Sequence, residues 1–160
     1  MAKTSQVNGY QVVFHVPFNF GKIEVLLLDK YRCIGIMDSG VGGVTIARAL
    51  LQMLPQESFI YYGDTLHLPY GEKTEAELIL YARNIFEFFI IKGVKAIVVA
   101  CGTTSSTALP ALADQYSLPI LGVIKAGARS SARISSNGKI GVIATKATVN
   151  SKAFTKEIQM

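Results

Sequence analysis

The chain has 160 residues, of which 50% are hydrophobic and 17% charged. It is therefore long enough for one α/β domain with a core and too apolar to stay disordered. Its formal net charge of +5 favours anionic ligands, but no run of Lys and Arg is interleaved with aromatic residues, which argues against nucleic-acid binding. No apolar run reaches the roughly 20 residues of a membrane span, and residues 1–6 lack a secretory signal pattern. We expect a cytoplasmic protein with reduced thiols and no membrane partner.

The first 31 residues do not follow a strand–helix pattern. Apolar residues recur there at every second position, which is typical of a strand outside any βα unit. They are Val12, Phe14, Val16, Phe18 and Phe20. An added hairpin and an extension foreign to the fold both remain open, and we assign this segment no function.

From residue 32 onward, predicted strands and helices alternate. Strands are predicted at residues 33–37, 59–62, 96–100, 120–123 and 139–144. Helices are predicted at 44–54, at 74–92, around 107–116, in the small-residue segment before the Asn137-Gly138 turn, and at 147–160. Thr74 with Glu77 forms a capping box at the start of the second helix, and Gly93 ends it. This alternation predicts a doubly wound α/β fold with a parallel sheet.

Three polar clusters follow predicted strands. Ligands of open α/β sheets bind outside the carboxyl ends of the strands, so we expect these clusters to meet at one edge of the sheet. The clusters are Asp38-Ser39-Gly40, Pro69-Tyr70-Gly71 and residues 101–106. Their convergence is more informative than any one of them alone.

The glycine-rich segment 38–43 precedes a predicted helix. Its free backbone N–H groups are suited to an anion. It lacks, however, the spacing of a Walker loop and of a dinucleotide fingerprint. An ordinary strand-to-helix turn, with Asp38 or Ser39 as the cap, remains the alternative.

Cys101 and Cys33, the only two cysteines, lie in different contexts. Cys101 follows a buried strand and precedes a Thr- and Ser-rich helix, whose N-terminus would stabilise a thiolate that serves as a base or nucleophile. A buried structural thiol is the alternative. Cys33 is at the opposite end of its strand, about 16 Å from the Asp38 edge, and we interpret it as a core residue.

His67 and Asp64 lie in the second loop, where a lone histidine is more often a surface residue than a base. The chain has two histidines, His15 and His67, and its carboxylates are scattered. We therefore expect no metal site. The order of a Ser-His-Asp triad with a nucleophile elbow is also missing.

Five segments, taken in order, closely resemble glutamate racemases of the aspartate/glutamate racemase superfamily. They have the family's order and spacing and cover the chain from Arg32 to its end. They are IGIMDSGVGG at 34–43, YGDT at 62–65 with PYG at 69–71, VVACGT at 98–103, GVI at 122–124 and IGVIAT at 140–145. The first segment favours the glutamate branch over aspartate racemases.

This resemblance implies racemisation of glutamate without a cofactor or metal. One cysteine thiolate removes the Cα proton, and a second thiol on the opposite face returns one. D-Glutamate made in this way supplies peptidoglycan synthesis and so maintains cell shape. Carried over residue by residue, Cys101 is one base and Asp38 orients or tunes it. Glutamate's polar groups are bound by Ser39, Tyr70, Gly71, Gly102 and Thr103. A homodimer is left open.

Two departures from the family pattern bear on activity. The family usually has Asn after the first cysteine, where this chain has Gly102. The second cysteine belongs to a Cys-Thr-His motif downstream of the point where this chain ends. We therefore expect a truncated, flavodoxin-like racemase lobe, with an extension at 1–31, an incomplete first lobe at 32–126, and a connecting helix with the start of a second lobe at 127–160.

Two alternatives to a racemase remain. The chain could be a non-catalytic fragment that binds an amino acid, a carboxylate or a partner protein. It could also be a different cysteine enzyme, a hydrolase or lyase with Cys101 as the nucleophile.

Overall fold

The computed structural model of the chain describes residues 3–7, 10–14 and 32–159. Strands β1 (Lys3–Val7) and β2 (Tyr10–Phe14) pair antiparallel, with Val7 opposite Tyr10. This pairing agrees with the hairpin alternative for residues 1–31, and an extension foreign to the fold stays the other alternative. Val16, Phe18 and Phe20 lie outside the described residues.

The second sheet is parallel and has four strands. They are β3 (Ile34–Asp38), β4 (Phe59–Gly63), β5 (Ala96–Val99) and β6 (Ile120–Gly122). Their spatial order is β4-β3-β5-β6, and each pair is parallel. The chain moves to one side of β3 to form β4 and then returns to the other side to form β5. This reversal confirms the doubly wound fold and marks the β3/β5 junction as its switch point, where such folds bind ligands.

Helices connect these strands. The first four are α1 (Val44–Met53), α2 (Glu75–Ile91), α3 (Gly102–Thr107) and α4 (Leu109–Leu112). They are followed by α5 (Val123–Ile134), α6 (Lys146–Asn150) and α7 (Ala153–Ile158). Single 3₁₀ turns lie at Thr65–His67, Tyr70–Glu72 and Ala113–Gln115. Among the described residues, no helix is both long and apolar enough to cross a bilayer.

Helix α2 begins and ends as predicted. The Thr74 hydroxyl accepts from the Glu77 backbone N–H at 3.3 Å, and the Glu77 carboxylate accepts from the Thr74 N–H at 2.8 Å. Gly93 follows the helix with a φ of 67°, the left-handed conformation in which glycine carries no steric cost. The helix contributes a row of buried apolar side chains to the core. They are Leu78, Ala82, Ile85, Phe86 and Phe89.

The helix predicted around residues 107–116 starts earlier and is divided. Helix α3 begins directly after Cys101, because the cysteine sulfur accepts the Thr104 backbone N–H at 3.5 Å and so caps the helix. Pro110 has no N–H to donate to the preceding turn, and α4 starts afresh with this proline in its first turn. The single predicted helix is therefore wrong in its start and its continuity.

Two predictions near the end of the chain are also wrong. Residues 139–144 form no strand, since none of the strands described here pairs with them. The Val142 and Ile143 side chains are exposed instead of buried. The helix predicted at 147–160 is two helices, α6 and α7, which are separated by Lys152 in the left-handed conformation at φ 56°.

Candidate active site

The switch point brings Asp38 and Cys101 to the same edge of the sheet. Asp38 is the last residue of β3, and Cys101 follows β5 by two positions. The two strands stay paired to their carboxyl ends, where the Ala100 N–H donates to the Met37 carbonyl at 2.8 Å. The predicted convergence of the first and third polar clusters is therefore confirmed.

The Asp38 carboxylate organises the turn that follows β3. Its Oδ2 atom accepts the backbone N–H groups of Gly40 and Gly43, each at 3.0 Å, and the side chain is buried. A Cβ atom on Gly43 would lie 2.7 Å from the Asp38 Cβ and 2.9 Å from the Ala100 Cβ, so this close approach requires glycine. Asp38 therefore acts on its neighbours by fixing the turn.

Tyr61 supports the same turn from β4. Its hydroxyl donates to the Gly40 carbonyl at 3.0 Å and lies 3.4 Å from the Asp38 carboxylate. Burial, and next the Asp38 charge, raise the pKa of Tyr61 above its ordinary value of 10.0, which keeps the hydroxyl protonated as a donor. Tyr61 was not predicted as a site residue, because an aromatic residue within a strand is typical of the core.

The Cys101 thiol is buried within this arrangement. It is 5% exposed, accepts the Thr104 backbone N–H, and donates to the Ser39 hydroxyl at 3.5 Å. The Asp38 turn thus presents Ser39 to the sulfur. A thiol that contacts a backbone donor and a hydroxyl is suited to stabilising negative charge on sulfur.

The second polar cluster reaches the site through Thr145. A Cβ on Gly71 would lie 3.0 Å from the Thr145 Cβ, and the Thr145 hydroxyl is 2.9 Å from that of Thr103. Thr145 also caps α6 by accepting the Thr148 N–H at 3.3 Å. It is a candidate site residue that was not predicted, although the IGVIAT segment ends on it.

Tyr70 is buried behind this cluster. Its hydroxyl donates to the Asp64 Oδ2 atom at 2.5 Å. Burial, followed by this hydrogen bond, raises the pKa of Tyr70. The Nδ1 atom of His67 lies 2.7 Å from the same oxygen. His67, interpreted from sequence as a surface residue, is 37% exposed at its side chain, but it contacts the buried carboxylate of Asp64 in the same loop.

Gly102 differs from Gly71, the other predicted site glycine, in having open space around it. A Cβ built there has no atom within 4 Å among the described residues. Its φ also lies outside the left-handed region. A larger side chain therefore fits at this position without strain.

Cys33 does not belong to this site. It precedes β3 at the opposite edge of the sheet and packs, partly buried, against the core, as predicted. Burial raises the pKa of its thiol, an effect that the nearby Lys95 partly offsets. Within the described part of the chain, no group of three His, Cys, Asp or Glu side chains could hold a metal ion.

Comparisons with known proteins show the family to which the chain belongs. The Asp/Glu/Hydantoin racemase model matches residues 34–160. A glutamate racemase from Picosynechococcus sp. is 50% identical over 125 residues, which are 78% of this chain and 44% of that protein.

Solved structures give the same result. A glutamate racemase isoform from Bacillus anthracis matches 81% of this chain and 49% of its own, with a TM-score of 0.79 and 40% identity. The Francisella tularensis glutamate racemase in complex with D-glutamate matches 81% of this chain and 48% of its own, with a TM-score of 0.74 and 39% identity. The chain thus spans about half the length of the relatives it matches.

Proposed function

Because this chain belongs to the Asp/Glu/hydantoin racemase family, we propose that it forms the Cys101 side of a cofactor-independent glutamate racemase site. The reaction follows from relatives that are named glutamate racemases, and the substrate from a relative bound to D-glutamate. The cellular role that we propose is the supply of D-glutamate for peptidoglycan, and hence for cell shape. Two free thiols fit the reducing cytoplasm as the location.

The observation that carries this proposal is the position of the Cys101 thiol at the β3/β5 switch point, in contact with Ser39. The Cys101 thiolate takes the Cα proton of glutamate, which forms an S–H bond and leaves a carbanion delocalised into the α-carboxylate. In the reverse direction the thiol gives its proton back to Cα. In this reverse step, hydroxyl and backbone N–H donors near the sulfur stabilise the negative charge that develops on it as its proton leaves.

The other predicted site residues have supporting roles in this proposal. Asp38 acts by holding the turn that presents Ser39, and not through a direct hydrogen bond to the sulfur. Ser39, Gly71, Gly102 and Thr103 bind the polar groups of glutamate, and we add Thr145 because its hydroxyl contacts that of Thr103. Tyr70 tunes the site from behind these residues, because its buried hydroxyl donates to Asp64. The division into lobes at residue 126 remains a prediction, and α5 runs through it.

The second proton-transferring thiol is not Cys33. That residue lies beyond the amino end of β3, whereas Cys101 follows the carboxyl end of β5. A complete two-base site therefore needs a thiol from outside the residues described here. The half-site supports proton exchange at one face of Cα, and full racemisation requires the second face.

A second candidate function is amino-acid binding without turnover. The Thr145 hydroxyl lies 2.9 Å from the Thr103 hydroxyl and 3.0 Å from the Thr148 hydroxyl. Such a cluster suits a carboxylate ligand even where the second thiol is missing.

The test is exchange of the Cα hydrogen in D₂O. The chain is incubated with L-glutamate or with D-glutamate, and the Cα proton signal is followed by NMR. We expect one enantiomer to lose its signal with retention of configuration, because a single thiol exchanges its proton with solvent and returns deuterium to the same face. Cys101→Ser should abolish the exchange.

Cys33→Ser is the matched control and should exchange at the wild-type rate. Exchange that survives Cys101→Ser would contradict the proposed chemistry. Glutamate-dependent shifts in the protein spectrum without any exchange would favour the binding function. Labelling of Cys101 by an ester substrate would favour a hydrolase.

A further inference from the structure

We propose that His67 is a positioning residue for Tyr70 and that it acts through the carboxylate of Asp64. This inference rests on the proposed function, since it assigns a task to a side chain near the same site. His67 itself touches none of the reacting atoms that we assign.

The contacts form a continuous chain from solvent to the site. The His67 Nδ1 atom lies 2.7 Å from the Asp64 Oδ2 atom, and the Tyr70 hydroxyl donates to the same oxygen at 2.5 Å. Asp64 is 5% exposed and Tyr70 is 2% exposed. A buried carboxylate is costly unless donors satisfy it, and these two side chains supply them.

The imidazole of His67 is held in place by a second contact. It stacks on the Tyr81 ring, with the centroids 4.0 Å apart and the planes 18° from parallel. Tyr81 belongs to α2, so the loop that carries His67 is attached to a helix whose buried face forms the core. The stack fixes the ring, and the ring fixes the orientation of the Asp64 carboxylate.

The orientation of Tyr70 matters because the next residue, Gly71, packs against Thr145. Thr145 in turn bonds to Thr103, two positions after Cys101. A change in the Asp64 carboxylate would therefore be transmitted to the polar groups proposed to bind glutamate.

Three variants separate the hydrogen bond from the stack. His67→Asn keeps an N–H donor at the place of Nδ1 but removes the ring. His67→Phe keeps an aromatic ring on Tyr81 but removes the donor. His67→Ala removes both. Leu66→Ala is the matched loop control, because Leu66 is exposed.

Two measurements are made on each variant. The first is the hydroxyl proton resonance of Tyr70 in the free protein, which the short bond to Asp64 should shift downfield and which Tyr70→Phe identifies by its loss. The second is the dissociation constant of D-glutamate and L-glutamate, measured by titration.

We expect His67→Phe and His67→Ala to lose the downfield resonance and to weaken glutamate binding about tenfold. His67→Asn should restore both, and Leu66→Ala should change neither. The proposal is overturned if His67→Phe retains the resonance and binds as the wild type does. If the wild-type chain binds no glutamate, the proposed function fails, and the resonance alone still decides whether His67 holds Tyr70.

Discussion

The Cys101 sulfur lies 3.5 Å from the Ser39 hydroxyl oxygen, although 62 positions separate the two residues in the sequence. Parallel pairing of β3 with β5 causes this approach, because Met37 pairs with Val99 and each strand then ends in a polar turn. The contact can be tested without any substrate.

Ser39→Ala should slow the alkylation of Cys101 by iodoacetamide at pH 8 about three- to tenfold. The hydroxyl can donate to a thiolate, and the loss of one such hydrogen bond costs about 0.5–1.5 kcal/mol. Mass spectrometry of the digested protein measures the modification of each cysteine separately. Cys33 is the internal reference, and its rate should not change. An unchanged Cys101 rate would show that Ser39 does not stabilise the thiolate.

Thr104→Val should stabilise the fold by about 1 kcal/mol. Thr104 is fully buried, and its hydroxyl has no hydrogen-bond partner in the described part of the chain. Valine has nearly the same shape and removes that desolvation cost. The measurement is the free energy of unfolding in urea.

Thr103→Val is the matched comparison for Thr104→Val. It removes a hydroxyl that is bonded to Thr145 at 2.9 Å, so it should destabilise the fold by about 1 kcal/mol. Equal effects of the two substitutions would contradict the assigned hydrogen bonds.

The doubly wound parallel sheet and the edge that carries the site could be predicted from sequence. Parallel strands of a doubly wound sheet end at the same edge, so the polar turns that follow them meet there. On this ground the clusters that contain Ser39 and Cys101 were correctly predicted to lie together. The role of Thr145 could not be predicted, because its approach to Gly71 depends on where the long connection after α5 returns. A strand at 139–144 was predicted from apolar residues alone, but a strand also needs a neighbour for its backbone groups.

Tyr70→Phe should reduce the loss of stability at alkaline pH. The pKa of Tyr70 is raised above 10.0 in the folded state, by burial and by the bond to Asp64, so the unfolded chain releases this proton first. The stabilisation is complete below pH 10 and falls as the pH rises towards the folded value. The slope is at most about 1.4 kcal/mol per pH unit for one proton.

Guanidinium unfolding at several pH values between 9 and 12 gives this slope. Cys33→Ser is the comparison, because burial also raises the pKa of that thiol, from 9.0. Cys33→Ser should therefore begin to change the pH dependence of the unfolding free energy at a pH about one unit lower than Tyr70→Phe does. If the unfolding free energies of Tyr70→Phe and the wild type fall equally with pH, the titration of Tyr70 does not contribute to the alkaline loss of stability.

Glu77→Gln should destabilise α2 at neutral pH and lose this effect in acid. The Thr74 backbone N–H, followed by the Thr74 hydroxyl, lowers the pKa of Glu77 below 4.5. The stabilisation is present above pH 4.5 and is lost as the pH falls through the lower, folded value. Thermal unfolding at pH 7 and at pH 3 measures the difference, which should shrink at pH 3. A constant difference would show that the charge of Glu77 is not involved.

Gly102→Asn should tighten glutamate binding about five- to tenfold. The family that this chain resembles usually has Asn at this position, and its amide would add one hydrogen bond to the ligand, worth about 1 kcal/mol. The asparagine fits because a Cβ on Gly102 meets no described atom within 4 Å. Gly102→Leu is the matched control: leucine has a similar size, raises the helix propensity over glycine at least as much as asparagine does, and has no amide. Both variants should unfold at or above the wild-type temperature, and only the asparagine should improve the dissociation constant of glutamate in a titration. If leucine improves it equally, the gain comes from a more stable α3, and the amide makes no contact with the ligand.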